Sequence, residues 1–158
     1  MLTSMPLLAP LLLFIHILAV AFWVGGMALM HFAVRPAAVA KLDPPLRLPF
    51  MTDVLARFFA GVWAAIIVLL ASGLGLIWRA GGFANVRWNV HLMFGLGLFM
   101  MAIYLHIRFA PYPRLKRAVA AREWPVAAAS LDLIRKLVRI NLLLGVIVIA
   151  LAVVGRAV

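Results

Sequence analysis

Uncharged apolar stretches alternate along this chain with short segments that hold nearly all of its charge. No ionised side chain precedes Arg35. A second uncharged run, Phe58 to Trp78, is bracketed by Arg57 and Arg79, and its helix should begin earlier, near Phe50. A third, Trp88 to Ile107, lies between Arg87 and Arg108. A fourth helix should start near Pro125, carry Asp132, Arg135, Lys136 and Arg139 on its first turns, and run uncharged from Ile140 to Gly155. Helix rises ~1.5 Å per residue and a bilayer core is ~30 Å thick, so each run is a span. The fourth is somewhat short, and arginines at its ends would snorkel to lengthen it. The pattern predicts an all-α fold: one transmembrane domain, an integral membrane four-helix up-down bundle with spans at about 7–34, 50–79, 86–109 and 126–156. Pro10 should mark the first helix's start or kink its first turns. The first connection, RPAAVAKLDPPLRLP, carries Pro36, Pro44, Pro45 and Pro49 and is expected to be irregular. RAGGFANVR is a short glycine-containing loop, and APYPRLKRAVAAREWP is the most basic connection.

Composition agrees with a membrane chain. Hydrophobic residues make up 68% and charged residues 12% of the 158 positions, against about 45–50% and about 25% in soluble domains. The first run lacks the basic lead and short apolar core of a cleaved signal peptide, so it is expected to be the first span. There is no cysteine, which excludes disulfides, iron–sulfur clusters and thiolate metal sites. The net charge is +11, but the basic residues sit between apolar runs, where they set topology; nucleic acid is not expected as a partner. The first and third connections hold twelve Lys and Arg, the opposite side three, and all four acidic residues accompany the twelve. The positive-inside rule puts those connections in the cytoplasm. The expected location is a bacterial inner (cytoplasmic) membrane with both termini periplasmic.

Histidine supplies the candidate chemistry. The chain has four, arranged as His16-x14-His31 and His91-x14-His106 on the first and third spans. Those spans run parallel in an up-down bundle. His31 lies four residues before Arg35 and His106 two before Arg108, so the pairs should be level. Fifteen helical residues rise about 22 Å and turn about 60° beyond whole circles. Both members of each segment can therefore face a common interior at two depths, and an ionisable residue inside a membrane is a functional candidate. Neutral imidazole is an axial ligand of haem iron. On this reading the protein is a b-type cytochrome with two haem b per chain. His16 and His91 ligate an outer haem iron, and His31 and His106 an inner one. Gly95 and Ala102, with Gly25 and Gly26, leave room for the macrocycle. Arg57, Arg108, Arg135 and Arg139 inside, and Arg79 and Arg87 outside, are available to propionates. Such a protein would carry electrons across or within the membrane to a quinone or small redox partner; a substrate oxidised at the rim would make it an oxidoreductase. Besides lipid, a second copy of the chain is a possible partner.

Copper is the alternative. Met27, Met30, Met93, Met100 and Met101 lie on the histidine-bearing spans, and thioether with imidazole suits Cu(I). No carboxylate lies within an apolar core, and there is no phosphate loop, HExxH or G-x-S-x-G motif. Asn141 should make a helix–helix hydrogen bond, and Ser72 has no evident partner base.

The pattern His16-x6-Trp23-x-Gly25-Gly26, then Arg35-Pro36, Arg57-Phe58 and a second span with Gly73 and Gly75, resembles the CopD-type copper-resistance membrane proteins. With Trp88-x2-His91 and Tyr104-x-His106 it also resembles the HemJ-type protoporphyrinogen oxidases. The likeness runs over about the first 110 residues. It implies copper transport or tolerance on the one side and a haem-bearing oxidase on the other. The paired spacing alone is similar to di-haem membrane cytochromes b.

Overall fold

The computed structural model describes residues 7–155. Six α-helices follow in order: α1 (Leu8–Leu29), α2 (Arg35–Lys41), α3 (Pro44–Arg79), α4 (Trp88–Phe109), α5 (Pro111–Ala120) and α6 (Trp124–Val154). A π-helical turn, Met30–Val34, fuses α1 to α2, and a 3₁₀ turn, Phe83–Asn85, precedes α4. Four stretches are long and apolar enough to cross a membrane: Leu8–Lys41, Pro44–Arg79, Trp88–Ala120 and Trp124–Val154. The protein is thus an all-helical, four-span integral membrane bundle.

The first connection is the main departure from expectation. Instead of an irregular loop, only positions 42–43 break the helix. Proline is compatible with helix at its first turn, where no intrahelical donor is needed. Pro44 and Pro45 open α3 on the extended backbone of Asp43, and Pro49 falls one turn later. Pro36 is absorbed differently. The turn before it widens to π geometry, with the Arg35 N–H reaching the Met30 carbonyl, so the chain passes the missing donor without stopping. Pro10 lies in the first turn of α1. The most basic connection is likewise mostly helix. α4 ends at Ala110 and Pro111 opens α5, because proline has no N–H to donate back into α4. Tyr112, Leu115 and Ala118 of α5 are buried while Arg114, Lys116 and Arg117 are exposed, so α5 lies as an amphipathic helix against α6.

At the other end, α3 stops on Gly81 and Gly82, whose φ angles of 90° and 91° are left-handed and favour glycine. The Gly82 N–H closes on the Ile77 carbonyl at 2.9 Å. Trp78 and Trp88 flank this loop, exposed as expected for an interfacial belt.

α1 packs chiefly on α3, and α4 on α6. Membrane helices gain little from hydrophobic transfer and depend on close packing, which small residues permit. Two reciprocal knobs join α1 to α3: Phe58 sits over Gly26 and Phe22 over Gly61, each where a Cβ would stand. Gly145 of α6 receives Val24 of α1 and Met100 of α4; a Cβ there would lie 2.8 Å from Val24 Cγ2 and 3.3 Å from Met100 Cε. Tyr104 is the aromatic junction. Its ring meets Trp23 (6.3 Å between centroids), Phe59 (5.7 Å) and Trp63 (5.6 Å) edge-on. Its hydroxyl donates to the Phe59 carbonyl at 2.9 Å. The Asn141 amide donates to the Met100 carbonyl at 3.2 Å, the interhelical bond expected of it.

Candidate functional site

The histidines divide by helix. Position 16 shares the inward stripe of α1 with Ala19, Trp23 and Met27, and His16 is half-buried against α3. Its Nδ1 lies 2.8 Å from Ser72 Oγ, and Gly73 makes room, since a Cβ there would lie 3.2 Å from the imidazole Cε1. Ser72 therefore has a side-chain partner, His16. The serine hydroxyl has one proton, which goes to the Val68 carbonyl at 2.5 Å. The tautomer that donates from Nδ1 to the serine oxygen carries its lone pair on Nε2. A metal-ligating histidine is oriented in this way, by a hydrogen bond at the other ring nitrogen. Sequence offered no signal for this contact, because the antiparallel register of α1 on α3 brings together residues 56 positions apart.

His31 lies in the π turn, half-buried, its ring edge-on to Phe32 at 4.8 Å. On α4 the arrangement is different. His91, Gly95, Ala102 and His106 fall within about 60° of one another at ~100° per residue, on the far side from Met100 and Tyr104. All four are exposed, and nothing would meet a Cβ at Gly95 or Gly97. His91 keeps company with Phe83, 5.9 Å between ring centroids. His106 borders a groove with Arg114 and Ser130. The expected common interior for all four histidines is thus not formed: His16 turns into the bundle, while those of α4 turn away from it. Arg57 is also exposed, on α3.

Depth follows the expectation more closely. Val24 and Met100 meet over the same glycine and differ by 76 positions, while His16 and His91, like His31 and His106, differ by 75. Each pair is level; it is azimuth that separates its members. A porphyrin clamped between α1 and α4 needs both imidazoles turned toward each other, and this arrangement of residues does not fit that clamp.

Methionine behaves otherwise. Met27 and Met100 are buried in the central cluster, and Met30 and Met101 pack against it. Two methionines of α1 and α4 are thus part of the core, and two more pack on it, whereas the imidazoles of α4 are exposed. Asn141 is buried against the Met100 backbone with its Oδ1 unpaired. Among the described residues no group of three His, Cys, Asp or Glu gathers to hold a metal, so any ion in the bundle would depend on thioether and single imidazole donors.

These features define a small polytopic membrane protein, cysteine-free, with methionines at the centre of a four-helix bundle and an oriented histidine on its first span. The chain belongs to the CopD family, copper resistance protein D, which it matches over residues 52–155. The match covers the second, third and fourth spans and leaves α1 outside, whereas the likeness read from motifs leaned on α1 and the first 110 residues. No curated protein and no solved structure matches the chain.

Proposed function

We propose that this protein handles copper within the membrane, as a transport or tolerance factor that takes cuprous ion as cargo. The observation that carries the reading is the burial of Met27 and Met100, with Met30 and Met101 packed against the same core, in a chain of the copper resistance family. Thioether and imidazole are soft enough to select Cu(I). His16, held by Ser72, is the imidazole that would pass the ion to or from the outer surface. The Lys- and Arg-rich end faces the cytoplasm, so that both termini lie outside.

The test is Cu(I) retention by protein purified in detergent under reducing conditions. At least one copper per chain is expected, falling about tenfold when Met27 and Met100 are both replaced by Leu, a loss of ~1.4 kcal/mol in binding. Retention no greater than that of an empty-detergent control overturns the reading.

The level depth of the two histidine pairs favours a second reading, the di-haem b-type cytochrome. It needs α4 to rotate, or a second copy to present its histidines, before two imidazoles share an iron. A pyridine haemochrome assay separates the readings: about two haem b per chain supports the cytochrome, one points to a HemJ-like site, and a colourless preparation that binds copper supports the first.

A further inference from the structure

The basic end of the bundle contains a groove of about 290 Å³ where α4 gives way to α5. The chain turns sharply at Ala110, with φ −113° and ψ −79°, and the turn holds His106 and Arg114 along one wall. Ala129 and Leu133 of α6 form the other wall, with Pro111 between. The Ser130 hydroxyl, also at the groove, is already donated to the Val126 carbonyl at 2.9 Å. The donors on offer are therefore the Arg114 guanidinium and the His106 ring N–H.

Position and charge say what fits. His106 closes the uncharged run of the third span, and Arg114 lies just past it on α5, so the groove sits where hydrocarbon meets headgroups. Leu105, Phe109 and Leu133 are exposed around it, as suits contact with acyl chains. Twelve Lys and Arg but only four Asp and Glu lie toward this end. The carboxylate closest in sequence to the groove's α6 wall, Asp132, is engaged by Arg135 and, at 3.0 Å, by Lys136. The volume is at the bottom of the ~300–1,000 Å³ range of small-molecule pockets: room for a headgroup, with the tails left in the bilayer.

We propose that this groove binds the phosphate headgroup of an anionic phospholipid. Arg114 makes charge-assisted hydrogen bonds to the phosphate oxygens, and His106 adds one more. The acyl chains lie against Leu105 and Leu133. Neither residue takes part in the copper reading, so the two stand or fall separately.

Native mass spectrometry of the full chain, exchanged from detergent into mixed dioleoylphosphatidylglycerol and dioleoylphosphatidylcholine, tests the site. Retention of the glycerol lipid in preference to the choline lipid is expected. Arg114→Gln lowers that retention about tenfold, the equivalent of one lost charge-assisted hydrogen bond, and His106→Gln lowers it less. Arg122→Gln, which removes the same charge from the α5–α6 turn, leaves it unchanged. Arg114→Lys keeps part of the preference and guards against a folding defect in the glutamine variant. Equal retention of both lipids, an equal loss in R114Q and R122Q, or displacement of the lipid by millimolar inorganic phosphate overturns the proposal.

Discussion

Tyr104 offers the sharpest test of how the bundle is held. Replacing it with Phe removes only the hydroxyl's bond to the Phe59 carbonyl. That carbonyl is also within the α3 ladder, so it does not become an orphan. Interhelical hydrogen bonds in membranes average ~0.6 kcal/mol and reach ~1.7, so Tyr104→Phe should cost about 0.5–1 kcal/mol. Tyr104→Ala removes in addition the edge-on contacts with Trp23, Phe59 and Trp63. Each such pair contributes ~0.5–1.5 kcal/mol, and burial of large aromatics makes their truncation cost ~3–5 kcal/mol in soluble cores. Lipid is itself apolar, so the transfer part of that loss is weaker here, and about 2–4 kcal/mol is expected. Reversible unfolding in mixed micelles, read by Trp fluorescence, measures both variants. If Y104F cost as much as Y104A, the hydroxyl and not the ring would be the junction. If Y104A cost less than about 1 kcal/mol, the three-helix aromatic contact would carry no weight and the packing argument would fail.

Gly145→Val places a side chain where Val24 and Met100 already stand; overpacking should destabilise the bundle by about 1–3 kcal/mol in the same assay. Ser72→Ala frees the His16 ring without touching the methionines, so copper retention should fall severalfold while the micellar unfolding midpoint shifts only slightly; an unchanged copper content would remove His16 from the proposed path. Asp132→Asn should leave the midpoint unmoved, because its ion pairs with Arg135 and Lys136 are open to solvent. For orientation, an alkaline phosphatase fusion at Asn85 should be active and one at Arg122 inactive; the reverse pattern would overturn the topology drawn from the basic residues.

The sequence by itself determined the class of fold. Runs free of charge and bracketed by arginine are legible as spans, because a bilayer excludes ionised side chains and demands a full helical hydrogen-bond ladder. It also determined the level of the paired histidines, since rise per residue is fixed and Arg35 and Arg108 mark the same boundary. Proline misled the reading of the first connection, because the first turn of a helix and a π turn both accommodate it, and neither has a composition of its own. What only the tertiary structure decided is azimuth. A helix with apolar residues on every side carries no amphipathic stripe to say which face turns inward. The inward faces are set by glycines that admit Phe22, Phe58, Val24 and Met100, and by the Tyr104 junction. Those contacts put His16 on Ser72, bury Met27 and Met100 in the core, and turn His91 and His106 outward: the spacing of four histidines gave their depth, and packing alone chose their direction.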